Sequence, residues 1–346
     1  MESERILGQN HILRHFENAI RMGKISHAYI INGEEGSGKM NLAIHFAKAL
    51  QCERNNSNKA INEDGERITV PGTACGQCKS CKQTDSKNQP DIKYITYEKS
   101  GIGVDEIREQ INDDIDIKPY SSPYKIYIVP ESEKMTVQAQ NALLKTIEEP
   151  PEYAIIILLT TNADTFLQTI LSRCVMLNIR PVKEDIIKNQ LTSQYGVGDY
   201  EARVAATFSN GNPGKAIKLA TSEEFKELKQ YVVGMFMSLE KGGMDIIGEA
   251  IKKTGTFKKQ IDEYFSLMRI WFRDILVYKA TKEEDQIIFQ DEYMTIEKKS
   301  QTYSFDDIND ILKAIDLAES RIKSNVNFDS TIEILLLSIK EKTSGK

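Results

Sequence analysis

Short apolar strands alternating with amphipathic helices over residues 1–178, a phosphate-loop pattern at one strand-to-helix junction, and helical periodicity alone after Arg180-Pro181 predict a three-layer α/β domain followed by helical domains. An amphipathic pattern over residues 11–23, stopped by Gly23, predicts the first helix. Residues 27–31 predict a strand that runs into a glycine-rich loop, and residues 38–50 follow with apolar positions at helical spacing. Residues 53–74 are rich in Asn, Glu, Gly and Lys and read as a mobile insertion. A strand at 91–95, a helix near 103–115 and a β-branched strand at 125–129 come next. Thr136 reads as the N-cap of a helix that Pro150-Pro151 stops. Residues 154–159 are apolar on both faces, as a central parallel strand requires, and residues 175–177 can close the sheet.

The glycine-rich loop runs from Gly33 to Met40 and matches G-x-x-x-x-G-K through Gly33, Gly38 and Lys39. Its next position should be Ser or Thr, whose hydroxyl holds Mg²⁺. Met40 offers a soft thioether that a hard cation does not choose. Backbone N–H groups and Lys39 can still face phosphates. After the strand at 125–129, an ATPase places an Asp on Mg²⁺ and a Glu on the attacking water. The chain has Pro130 and Glu131 there, so the glutamate survives and the metal-holding carboxylate does not. Both changes remove Mg²⁺ ligands from one site, and hydrolysis by this chain alone is not expected.

Three thiols at two-residue gaps, Cys75, Cys78 and Cys81, with Cys52 ahead of them, read as a structural zinc site. All four histidines precede the cluster, which makes Cys52 the better fourth ligand. An iron–sulfur cluster is the competing reading, since its ligands can share this spacing. The net charge of −6 argues against a chain that coats nucleic acid by itself. No apolar run approaches the ~20 residues that span a bilayer. The segment Met1-Glu2-Ser3-Glu4-Arg5 lacks the features of a signal peptide, so a cytoplasmic location is expected.

Beyond Arg180-Pro181 no strand is expected. A small helical domain contains the turn Gly211-Asn212-Pro213-Gly214, and a larger helical region follows it. In residues 257–280, Ile261, Tyr264, Phe265, Met268, Trp271, Phe272, Ile275 and Leu276 recur at helical spacing, which reads as a core or subunit-packing face.

These features together resemble the AAA+ clamp-loader subunits of bacterial DNA polymerase III. The resemblance rests on the degraded phosphate loop, the inserted Cys₄ module, and Asn141-Ala142-Leu143-Leu144-Lys145-Thr146-Ile147-Glu148-Glu149-Pro150-Pro151. Thr160-Thr161-Asn162 at a strand end, Ser172-Arg173-Cys174, Trp271-Phe272-Arg273-Asp274-Ile275-Leu276 and the series Arg321, Asn325, Val326, Asn327 carry it further. It spans essentially the whole chain. It implies an AAA+ domain over 1–180 with the zinc module at about 52–89, a helical lid over 181–222 and a helical collar over 223–346. The broken site implies the member of the family that does not hydrolyse ATP.

By the same resemblance Arg173, flanked by Ser172 and Cys174, is an arginine finger acting on a neighbouring ATP site, and there is no catalytic residue in cis. Thr160, Asn162 and Lys215 are sensor-like, with Lys215 in place of the usual Arg. Gamma/tau and delta subunits, a sliding clamp and primer–template DNA are the implied partners. Two other readings stay open. One is an active ATPase of this fold that uses Glu131 and a substitute carboxylate. The other is a zinc module that binds single-stranded DNA through Lys79, Lys82 and Lys87, although no aromatic stacking platform is evident there.

Overall fold

Five strands, β1 (Ala28–Asn32), β2 (Ile92–Tyr94), β3 (Lys125–Val129), β4 (Ala154–Thr160) and β5 (Val175–Asn178), form one parallel sheet in the order β2-β3-β4-β1-β5. The computed structural model describes residues 6–56, 72–98, 101–241 and 245–343. Of the insertion expected at 53–74, residues 57–71 lie outside the described residues.

β4 is buried at every position, as an apolar strand with helices on both faces must be. Its side chains alternate between two cores because successive Cβ atoms point to opposite faces. Ile155, Ile157 and Leu159 join one cluster with α1 (Asn10–Met22) and α2 (Lys39–Gln51), where Phe16 stacks on Phe46. Ile156 and Leu158 join the other with Ile107, Ile111 and α4 (Val137–Glu148), which contributes Leu143 and Ile147. A short helix α3 (Lys79–Asp85) precedes β2. Each fully buried Ile or Leu contributes roughly 1.5–3 kcal/mol by removal from water.

The helix ends follow local chemistry. Gly23 closes α1 in the left-handed region at φ 62°, and its N–H donates to Ile20 O. Thr136 Oγ1 accepts the Ala139 N–H at 3.1 Å, so the expected N-cap is in place. One expectation needs correcting: the helix near 103–115 is not uniform. Val104–Ile107 and Asp113–Ile115 are α-helical, and Arg108–Asn112 between them is a π-turn.

The described residues fall into two units, one running to Ile186 and taking in Gly211–Lys215, the other comprising Ile187–Asn210 and the chain from Ala216 onward. Helices α5 (Glu184–Tyr195), α6 (Asp199–Phe208), α7 (Pro213–Thr221), α8 (Glu223–Lys241), α9 (Asp245–Thr256), α10 (Ile261–Thr281), α11 (Tyr293–Thr302), α12 (Phe305–Lys323) and α13 (Phe328–Thr343) follow β5, and no strand occurs among the described residues there. The long helix expected from residue 257 begins at Ile261, after a 3₁₀ turn over Lys258–Gln260. Tyr264, Phe265, Met268, Trp271, Phe272 and Ile275 are buried, whereas Ile261 and Leu276 are half-buried. The expected stripe is therefore core: Phe236 of α8 stacks on Trp271 and meets Phe272 edge-on. No helix among the described residues is long and apolar enough to cross a membrane.

A buried carboxylate organises the second unit. Asp274 Oδ2 accepts the Ile288 and Phe289 N–H groups at 2.9 and 2.8 Å, and Oδ1 accepts from Arg273 Nη1 at 2.8 Å. Arg273 also donates to Gln286 O, which ties the strap after α10 back onto that helix. Burial pushes the Asp274 carboxyl above its ordinary range, against the opposing pull of the Phe289 N–H and the Arg273 guanidinium. Asp274→Ala is expected to cost about 2–3 kcal/mol by stranding two buried N–H donors. In thermal melts this should appear as a fall of roughly 4–10 °C. Asp274→Asn, which keeps one acceptor oxygen, should lose less, and an unchanged melt for the alanine variant would contradict this role.

Candidate functional site

The carboxyl end of β1 delivers the chain into the phosphate loop, and the N-terminus of α2 receives it. Gly36 (φ 78°) and Gly38 (φ 94°) take conformations that a side chain would resist. Gly33 is confined differently: a Cβ there would lie 2.9 Å from both Ile179 Cβ and Ser37 Oγ. Lys39 Nζ folds back over the loop and donates to Gly33 O at 2.6 Å and Glu34 O at 2.8 Å. Burial lowers the Lys39 pKa, and the carboxylates of Glu133, Glu35, Glu131 and Glu34 oppose that shift. The loop has the form of a phosphate loop at a helix N-terminus, with its own lysine folded onto two of its carbonyls.

The positions that should bring a metal do not. Met40 is half-buried and packs against the core cluster of α1 and α2. Pro130 follows β3 and offers no oxygen from its side chain. Glu131 stands in the left-handed region at φ 46°, and its carboxylate is taken by Tyr97 OH and by Lys134 Nζ at 2.9 Å. Lys134 and then Tyr97 hold the Glu131 carboxyl below its ordinary range. The surviving glutamate is thus committed to neighbours of its own chain.

The sensor-like residues lie on the same rim. Thr160 ends β4, where its carbonyl accepts the Gly33 N–H at 3.1 Å and its Oγ1 accepts the Asn162 N–H at 3.1 Å. Asn162 Oδ1 in turn accepts from Asp164 N. Lys215 is in the Gly211–Lys215 segment, which packs with the sheet unit. Asn212 reaches from that segment to the loop: Nδ2 donates to Glu35 O at 2.7 Å, while Oδ1 accepts the Lys215 N–H at 3.1 Å. Gly214 N also donates to Gly36 O at 3.1 Å, and a Cβ on Gly214 would lie 2.5 Å from that oxygen. Sequence reasoning missed Asn212, although an Asn just before a Pro is a helix-start signal. It also missed Tyr97 and Glu133, which accepts from Thr161 N and Oγ1; neither carries a local signal.

Cys52, Cys75, Cys78 and Cys81 place their sulfurs within 4.8 Å of one another, so the distant Cys52 does join the triplet. Three of the four sulfurs accept a backbone N–H. The N–H of Cys75 donates to Cys52 Sγ, that of Cys78 to Cys75 Sγ, and that of Cys81 to Cys78 Sγ, at 3.3, 3.3 and 3.4 Å. Gly76 makes the turn at φ 72°. Gln77 and Cys78 N–H groups hold the Cys75 thiol down at about 6, whereas burial pushes the Cys81 thiol up. Four convergent sulfurs with N–H donors aimed at them fit a metal ion, which would supply the positive charge that a buried Cys81 thiolate needs.

Arg173 is far along the chain from the loop, just past a single helical turn (Gln168–Leu171) that leads into β5. Its Nη2 meets Glu148 Oε1 at 3.0 Å, and its Nη1 donates to Thr169 O and Ser172 Oγ. Both members of the ion pair are exposed, and such a pair contributes little to stability. Ser172 Oγ donates to Thr169 O at 3.1 Å. Cys174 is half-buried, and burial pushes its thiol up to about 12, which makes it a poor nucleophile.

Residues 8–183 match the family described as DNA polymerase III, delta subunit, and residues 248–341 match DNA polymerase III, delta subunit, C terminal. The first match takes in the phosphate loop, the four clustered cysteines and Arg173. DNA polymerase III subunit delta' of Bacillus subtilis (strain 168) is 26% identical over 337 residues, 96% of this chain and 96% of that protein. DNA polymerase III subunit tau of the same organism is 34% identical over 221 residues, 62% of this chain and 36% of that protein. DNA polymerase III subunit tau of Escherichia coli (strain K12) is 31% identical over 186 residues, 54% of this chain and 26% of that protein. Similarity to delta' thus runs nearly end to end in both proteins, whereas similarity to tau covers a part of each.

Proposed function

The chain belongs to the DNA polymerase III delta-subunit family, in its delta-prime branch, and from that premise we propose that it is the non-hydrolysing subunit of a cytoplasmic clamp loader, completing a pentamer with gamma/tau and delta subunits. The observation that carries this reading is a formed phosphate cradle beside two positions, Met40 and Pro130, that lack the Mg²⁺ ligands of an ATPase. Engagement of Glu131 by Tyr97 and Lys134 supports it, because the remaining carboxylate is already occupied. We further propose an AAA+ domain over 1–180, a lid over 181–222 and a collar over 223–346, with the collar holding neighbouring subunits.

In this reading Arg173 acts on the ATP site of the adjacent gamma/tau subunit. Its fixed charge and planar fork stabilise charge developing on the transferred phosphoryl group. ATP binding by the motor subunits opens the sliding clamp, and primer–template DNA triggers hydrolysis and closure. Thr160, Asn162 and Lys215 take the sensor-like positions, with Lys215 in place of the usual Arg. The Cys₄ cluster holds structural zinc, which fixes the module inserted after α2.

Two expectations test the reading. Elemental analysis of protein kept reduced should find about one zinc per chain, since structural zinc in finger peptides is worth roughly 10–16 kcal/mol of apparent binding free energy. Strong chelation should disorder residues 72–89 and leave the helical unit folded; protein free of metal would refute the zinc assignment. Arg173→Ala should leave the chain folded and able to join the loader, while the neighbour's clamp-stimulated ATPase falls. Arginine fingers in GTPases contribute about 10³–10⁵ in rate, and a loader with several active sites should show less. Arg173→Lys should rescue poorly. A reconstituted Arg173→Ala loader with full DNA-stimulated ATPase would sink the trans-acting role.

A further inference from the structure

Arg173 is held by more than its own backbone. Its Nη2 meets Glu148 Oε1 at 3.0 Å, and its Nη1 donates to Thr169 O at 3.0 Å and Ser172 Oγ at 3.2 Å. Nη1 is engaged by two hydrogen bonds, and Nη2 lies against the Glu148 carboxylate as an ion pair. Beyond that ion pair, the Nε–H and Nη2 hydrogens make no hydrogen bond among the described residues. A guanidinium held in this way is oriented and still has donors to offer an incoming phosphate.

Glu148 is a costly place for a carboxylate if stability were its purpose. It is the last residue of α4, where the negative end of the helix dipole disfavours an anion. The ion pair that it forms is exposed, so little folding stability is gained in return. What the position does provide is rigidity. α4 is anchored in the sheet's core through Leu143 and Ile147, and the Glu149 N–H donates to Lys145 O just ahead of Pro150-Pro151. The helix therefore presents the Glu148 carboxylate from a fixed backbone to a long side chain that would otherwise sample many rotamers.

We propose that Glu148 is the positioning residue of Arg173, restraining the guanidinium in the orientation that a neighbouring subunit's phosphate requires; this rests on the trans-acting reading of Arg173. The carboxylate touches no nucleotide and acts through the arginine. Removing it frees the arginine's rotamers and weakens its alignment in the transition state, with no change in how the neighbour binds ATP.

The test uses the reconstituted loader with clamp and primed DNA, comparing Glu148→Ala, Glu148→Gln, Arg173→Ala and wild type. Glu148→Ala should lower kcat by about threefold to tenfold at unchanged KM for ATP, the pattern of an interaction made in the transition state. Glu148→Gln keeps the side chain's length and loses the charge of the ion pair, and should recover only part of that loss. Melting temperature and loader assembly should match wild type in both variants. A Glu148→Ala loader within about twofold of wild type in kcat, alongside a clearly impaired Arg173→Ala loader, overturns the positioning role and leaves the trans-acting reading standing. A loss in Glu148→Ala that tracks lower assembly or melting temperature also overturns it. An unimpaired Arg173→Ala loader overturns both.

Discussion

Strand β1 is paired on both sides, to β4 and to β5, and the register of those pairings sets the rim that carries the phosphate loop and the Thr160–Asn162 corner. Asn32 lies opposite Thr160 on one side and Asn178 on the other. The pairing continues one step further, since Gly33 N donates to Thr160 O and Ile179 N donates to Asn32 O. The phosphate loop, the Thr160–Asn162 corner and the segment that follows β5 therefore leave the sheet at one level. In open parallel sheets the ligand crevice lies beyond the carboxyl ends of the strands, and here three such ends converge.

The loop separates two properties that ATPases combine. Its anion cradle is a matter of backbone: glycines in the left-handed region, orphan N–H groups at the start of α2 and Lys39 folded onto two carbonyls. Metal binding is a matter of side chains, at Met40 and Pro130. Because the two depend on different atoms, the second can be lost while the first keeps its shape. Met40 gains a place in the α1–α2 core, and Glu131 turns to Tyr97 and Lys134. Contacts from Asn212 and Gly214 to the loop's own carbonyls brace the cradle from outside. Such bracing does not depend on the side chains at Met40 and Pro130.

Much of this was legible because it is local. Apolar runs such as Ala154–Thr160 fit only a strand buried on both faces, and the cysteine spacing with histidines all upstream pointed to Cys52 as the fourth sulfur. The Thr136 cap and the Gly23 stop depend on residues within one turn, and both are in place. The illegible parts depend on partners distant in sequence. Nothing near Tyr97 announces Glu131, nothing near Asn212 announces Glu35, and Glu148 sits inside a recognisable motif that does not name Arg173 as its partner. Gln140 is similar, bridging Met135 and Thr165 carbonyls while accepting from Leu167 N. The π-turn at Arg108–Asn112 and the 3₁₀ turn before α10 escaped for another reason: apolar spacing of three or four residues does not distinguish an α-helix from a local change of pitch.

The central claim is that this chain keeps a phosphate cradle and has lost the use of Mg²⁺. The most direct measurement is ATP binding and turnover by the isolated chain across a Mg²⁺ titration, with EDTA as the zero point and Lys39→Ala as the control. Mg²⁺ is expected to leave any nucleotide affinity unchanged and to elicit no turnover above background. A Mg²⁺-dependent gain in affinity, or steady turnover at ~0.1 s⁻¹ or faster that Lys39→Ala abolishes, would contradict it.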